Sequence, residues 1–187
     1  MEDIMKKTRK NHRIRPLIDP SGIVYEAVES NALSEVIATV WYADDSTGTN
    51  AKIWDAENYN QKNPQITDKS GAYAWDVPNG WWQVRFEKDG YQPSQTEWLP
   101  VPPQVGLKTA MISTAAPEVI SVNAYQDYIE VSFSQYMDTS KQIILPSGMT
   151  GNWQSIDNGY SKILHITKED GFELGSTVSV SYTHLTL

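Results

Sequence analysis

Trp81, Gln83 and Arg85 alternate along the stretch GWWQVRFE and therefore share one side of an extended strand. An indole flanked by an amide and a guanidinium suits one kind of chemistry. The ring stacks on the apolar face of a sugar while the polar groups bond its hydroxyls. These three are the candidate ligand-binding residues, although contact of Trp81 with a neighbouring domain or with the proline-rich segment accounts for the same indole. A second set is carboxylate-rich: residues 44–50, DDSTGTN, invite a calcium reading. The spacing departs from an EF-hand, because Thr49 stands where that loop needs glycine and no glutamate closes it. A hairpin tip accounts for the same residues. The acid pairs Asp55/Glu57 and Glu26/Glu29 could be imagined at a glycosidic bond, which needs two carboxyls about 5–9.5 Å apart across a cleft. Nothing in the sequence places them so, and they read as a solvated surface.

The remaining catalytic vocabulary is sparse. His12, His165 and His184 are scattered and make no H-E-x-x-H motif. Cysteine is absent, which excludes disulfides and thiolate catalysis. No G-x-S-x-G, P-loop or G-x-G-x-x-G occurs. The expectation is a non-catalytic protein with no metal and no cofactor.

The stretch that carries Trp81 is bounded by residues 66–100. Residues 72–77 alternate, with Tyr73, Trp75 and Val77 on one face. Pro78-Asn79-Gly80 then breaks the run, and Trp82, Val84 and Phe86 alternate against Trp81, Gln83, Arg85 and Glu87. Period-2 patterning on both sides of a Pro/Asn/Gly break predicts two strands joined as a β-hairpin. Trp75 and Trp82 fall on core faces, whereas Trp81, and Trp41 with it, fall on outer ones.

The order Thr67, Asp68, Gly71, Tyr73, Trp75, Val77, Pro78, Gly80, Trp82, Val84, Glu87, Lys88, Gly90, Tyr91 resembles the central hairpin of carboxypeptidase-regulatory-like (prealbumin-like) β-sandwich modules. The words RPLIDPSGIVYEAV, WDAENYNQKNP and EWLPVPP resemble a version repeated in large exported surface proteins of Gram-positive bacteria, and the likeness covers residues 13–113. It implies a closed sandwich serving as spacer, stalk or adhesion unit at the bacterial cell surface. The Lys–Asn isopeptide bond of some collagen-adhesin modules is not implied. Residues 22–28 hold no Lys, and residues 106–112 no Asn or Asp.

Charge narrows the partners. The chain carries a net −8, divided as +4 over residues 1–16 and −12 over the rest. An acidic body argues against nucleic acid, whose binding releases counterions from a basic face. No apolar run reaches the length of a membrane span, and residues 1–16 hold no apolar core of a signal peptide. The expected partners are neighbouring domains of the same polypeptide and a cell-surface glycan or protein. Seven Trp and ten Tyr against three Phe suit half-exposed sheet faces.

Along the rest of the chain, residues 1–16 read as a linker or the end of a preceding domain. Residues 17–113 read as the first sandwich. Its strands are expected near residues 23–28, 36–42, 51–55, 72–77, 81–88, 95–99 and 106–111, with one helical turn within 56–67. Pro100, Pro102 and Pro103 place that segment on an edge. Residues 113–117 are a boundary, and residues 117–187 read as a partial sandwich. There Ile129, Val131, Phe133, Met137 and Asp138 resemble the start of a bacterial Ig-like surface domain. Further strands are expected at 163–166 and from Val178, with a turn at 174–177. An Ig-type sandwich needs about 100 residues, and 71 follow Ala116. The chain therefore reads as a fragment, and residues 180–187 resemble a translated sequencing adapter. The fold class is all-β: two tandem β-sandwich domains, the second incomplete.

Overall fold

A computed structural model describes residues 20–101 and 105–173 of the chain. The expectations for the basic head, residues 17–19, Pro102, Pro103, the turn at 174–177, the strand from Val178 and the tail, together with His12 and His184, lie outside the described residues. The strands are β1 (Ser21–Glu26), β2 (Ile37–Ala43), β3 (Lys52–Ile53), β4 (Gln65–Ile66), β5 (Ala72–Ala74), β6 (Gly80–Glu87), β7 (Ser94–Gln95), β8 (Leu99–Val101), β9 (Leu107–Met111), β10 (Val119–Ala124), β11 (Ile129–Asp138), β12 (Met149–Gln154) and β13 (Tyr160–Lys168). One 3-10 turn, Glu57–Tyr59, interrupts the connection after β3. The protein is all-β, as the alternation predicts.

The first nine strands form two layers. A three-stranded sheet runs β5-β1-β9, with β5 antiparallel and β9 parallel to β1. Facing it, β2 and β6 pair antiparallel, flanked by β3 and β4 on one edge and by β7 and β8 on the other. The space between is filled by Val24, Ala38, Val40, Tyr73, Trp75, Val77, Trp82, Val84, Phe86 and Met111, all buried. Tyr73 of β5 joins the layers, 5.1 Å from Phe86 of β6 between centroids, and within the second layer Trp54 packs edge-on to Trp82 at 5.4 Å. Both deep indoles find acceptors. Trp75 Nε1 donates to the Lys62 carbonyl at 2.7 Å and Trp82 Nε1 to the Pro78 carbonyl at 3.0 Å.

The predicted hairpin does not form. β5 and β6 do not pair with each other but belong to opposite layers. Residues 75–79 cross from one layer to the other as an arch, still alternating, so that Trp75 and Val77 remain buried at 2% exposure. Side chains replace the missing strand partner. Gln65 Nε2 donates to the Ala74 carbonyl (2.6 Å) while its Oε1 accepts the Ala74 N–H (3.1 Å). Gln61 does the same for Asp76, at 2.6 and 2.9 Å. Between them Asn63 turns the other way: its Oδ1 accepts the Val40 N–H, and its Nδ2 donates to the Val40 and Trp54 carbonyls. The connection that reads as a polar loop thus supplies a short strand, β4, and three amides that mimic backbone.

Other boundaries shift locally. The strand expected at 95–99 is split into β7 and β8, because Thr96 keeps only half of its ladder pair: its N–H donates to the Val84 carbonyl, but its Oγ1 in place of its carbonyl accepts the Val84 N–H. Pro100 lies in β8, on the edge of the sheet as expected.

The remaining strands make one four-stranded antiparallel sheet, β10-β11-β13-β12. The strand at Ile163 matches expectation, while β12 carries no clear alternation and escapes it. Val131, Phe133, Leu164 and Ile166 are buried on one face, covered by Ile143, Leu145 and Phe172. Among the described residues no second sheet faces them.

Removal of the Asn63 amide leaves the Val40 N–H without its partner, so Asn63→Ala is expected to lower stability by about 2 kcal/mol. The Tyr73 hydroxyl, buried beside Thr109, has no partner of good geometry. Tyr73→Phe is therefore expected to leave stability unchanged or raise it. Denaturant unfolding followed by tryptophan fluorescence checks both.

Candidate functional site

The expected ligand-binding residues lie on the outer face of the β2–β6 sheet, where cross-strand register decides their neighbours. Trp81 stands between Ala43 of β2 and Pro100 of β8, Gln83 is opposite Trp41, and Arg85 lies between Thr39 and Gln95. Trp81 and Arg85 are half-buried, but Gln83 is only 4% exposed. Its amide is engaged at both ends: Nε2 donates to the Thr96 carbonyl at 3.0 Å, and Oε1 accepts from Arg85 Nε at 2.9 Å. The guanidinium then lies over the Trp41 ring, 3.8 Å from its centroid, a cation–π contact. Gln83 is a buried brace holding Arg85 on Trp41, not an open donor. The indole of Trp81 and the outer edge of the guanidinium remain for a ligand. Trp41 completes the cluster. Its outward alternation was legible, but not the register that sets it against Gln83 and Arg85.

The carboxylates are held by their own turns. In the loop after β2, Asp45 Oδ1 accepts the Thr47 hydroxyl (2.7 Å), the Thr47 N–H and the Thr49 N–H, and Asp44 Oδ2 accepts Asn50 Nδ2 at 2.8 Å. This is the hairpin tip expected in place of a calcium loop. Asp68 repeats the arrangement with Ser70 and Ala72, and Asp138 with Ser140. The serine or threonine hydroxyl two residues on is the largest cause holding each of the three carboxyls below the usual aspartate range. The imagined acid pairs are engaged separately: Glu26 accepts from Asn31 and Tyr91, Glu29 pairs with Lys108 at 2.7 Å, and Asp55 accepts from Asn58.

The second sheet holds a cluster that isolated histidines in the sequence do not announce. Glu130 and His165 are cross-strand partners, with His165 Nε2 3.1 Å from Glu130 Oε2. Tyr128 stacks on the imidazole at 4.1 Å and Tyr125 on Tyr128 at 4.6 Å. On the other face, Thr139, Lys141, Ile143, Leu145, Met149, Thr150, Gly151 and Trp153 line an open cleft of about 380 Å³. No group of three or more His, Cys, Asp or Glu side chains is placed to hold a metal ion among the described residues, and no helix there is long and apolar enough to cross a membrane.

No family model, curated protein or solved structure matches this chain.

The three aspartates set an acid limit. A carboxyl with a folded pKa below its unfolded value stabilises the fold above the ordinary 3.8, and that contribution is lost as pH falls through the folded value. The unfolding midpoint is therefore expected to drop below about pH 4. A triple Asp45→Asn, Asp68→Asn, Asp138→Asn protein should lose less stability between about pH 6 and pH 3. Denaturation series across that range measure the difference.

Proposed function

We propose that the chain is a non-catalytic spacer or adhesion scaffold within a larger exported bacterial surface protein. The path of the backbone supports this reading best. The chain enters the first unit at Ser21, at the start of β1, and leaves after Met111, at the end of β9. Because β1 and β9 run parallel side by side, the two connections lie at opposite ends of the sandwich. That arrangement strings units end to end, whereas an antiparallel first and last strand would bring both connections to one end. The likeness of residues 13–113 to surface-protein modules points the same way. So does the use of polar side chains to brace turns and edges.

A second reading is a carbohydrate-binding module, or an accessory domain of a polysaccharide-degrading enzyme. The half-buried Trp81 beside the Trp41–Arg85 stack favours it, since an indole on an open sheet face can carry a sugar ring.

Sequencing the coding region on both sides separates these readings. An export signal with a wall anchor is expected, and a flanking hydrolase domain would replace the scaffold by the accessory role. A glycan screen of the wild type against Trp81→Ala is expected to show no difference. Binding that disappears in a folded Trp81→Ala protein would establish the carbohydrate module instead, and turnover of a glycan would overturn both.

A further inference from the structure

The parallel β1–β9 pair has a mechanical consequence. Pull the chain at the start of β1 and at the end of β9, and the two strands are drawn past each other along their length. Five cross-strand positions, from Gly22↔Leu107 to Glu26↔Met111, then share the load together. Peeling the same pair apart from one end would break those positions one after another. We propose that β1 and β9 form a force-bearing clamp that resists extension of the chain. This deepens the spacer reading and rests on it.

Three features concentrate the load at this contact. First, the backbones meet closely, since a Cβ on Gly22 would overlap the Leu107 carbonyl oxygen. Any side chain there forces the strands apart, so glycine is required by the approach itself. Second, both strands are keyed into the core by alternate residues: Val24 on β1, and Thr109 and Met111 on β9, are buried. Sliding must drag these side chains out of their packing. Third, among the described residues the flank of β9 away from β1 holds only scattered contacts. Ser94 Oγ donates to the Ala110 carbonyl at 3.2 Å, and the Gln92 N–H to the Ile112 carbonyl at 2.8 Å. Lys108 of β9 also reaches Glu29, past the end of β1, at 2.7 Å, but both side chains are half exposed and a surface pair adds little.

The chain has no cysteine of its own, so attachment points can be placed at will. The full chain carrying Ser21→Cys and Ile112→Cys is stretched in a single-molecule instrument, which loads β1 against β9 in shear. The full chain carrying Ser21→Cys and Val105→Cys is stretched at the same rate, which peels the pair from one end. Equal denaturant midpoints for the two proteins establish that only the direction of pulling differs. The expected result is an unfolding force several-fold higher in the shear geometry. The unsubstituted chain, held by terminal tags, should show an event of the same high force. Equal forces in the two geometries, or no high-force event between terminal tags, would overturn the clamp while leaving the end-to-end spacer reading intact. A high shear force in a chain whose flanking sequence encodes no exported protein would keep the clamp and remove the spacer reading. If either cysteine variant fails to fold, the terminally tagged chain decides alone.

Discussion

Three side-chain amides hold the first unit closed along one side. A two-layer sandwich leaves backbone N–H and C=O groups at its sheet edges, and those turned toward the interior must be paired. At this edge the chain is an arch rather than a strand, so no ladder is available. Gln61, Asn63 and Gln65 fill the gap at alternating positions, the outer two bonding Asp76 and Ala74 and the middle one Val40 and Trp54. A primary amide carries the same donor and acceptor as a peptide unit, which is why glutamine and asparagine can replace backbone here. These bonds hold the exposed intervening residues Ala74 and Asp76, and so tie down the buried run Tyr73, Trp75, Val77. Thr67 extends the closure: its hydroxyl donates to the Leu33 carbonyl and accepts the Val36 N–H.

The opposite side is joined by backbone at residues 90–92, and the difference follows from how the chain arrives. Residues 112–114 continue the line of β9 beside residues 90–92, with Tyr91 bridged to Ser113 and the Thr114 N–H on the Gly90 carbonyl. One edge is therefore sealed by side chains reaching across a connection and the other by the chain on its way out. The same exit fixes β9 parallel to β1 and puts Gly22 under the Leu107 carbonyl. Closure and the path of load are two results of a single topology.

Burial was legible in the sequence and pairing was not. Tyr73, Trp75, Trp82, Val84 and Phe86 all face the core, because side-chain direction in an extended chain has period two whatever lies beside it. Whether Pro78-Asn79-Gly80 returns the chain to the same sheet or carries it to the other is decided by contacts remote in sequence. Both routes accept the same local residues, so the hairpin reading was the natural error. Two strands escaped for a related reason: β4 is two residues within an amide-rich connection, and β12 contains Gly151 and polar neighbours with little alternation. Residue types gave Trp81, Gln83 and Arg85 a shared side, which register bears out. They could not reveal that Gln83 is buried between Thr96 and Arg85, or that Glu130 meets His165 across two strands. Aspartates followed by Ser or Thr at the second position are the opposite case, since their hydrogen bonds are local and the sequence announces them.

The second sheet shows what the first unit avoids. Its apolar face is covered near β12 and β13 by Ile143, Leu145 and Phe172, but β10 lies outside that cover, and Val119, Ile120 and Val122 are 43%, 65% and 61% exposed. An outer strand of such composition invites pairing with another chain. Two local features blunt it. The register between β10 and β11 slips at Ile120, so the strand is kinked within its own length. Pro117, buried just before the strand, has no N–H to extend the ladder. Irregularity protects this edge where amides seal the other. The contrast follows from chain length at each place: 11 residues, Trp54 to Pro64, separate β3 from β4, long enough to turn side chains onto a neighbouring edge. The stretch ahead of β10, from Ile112 to Glu118, is already engaged with Gly90 and Ser134.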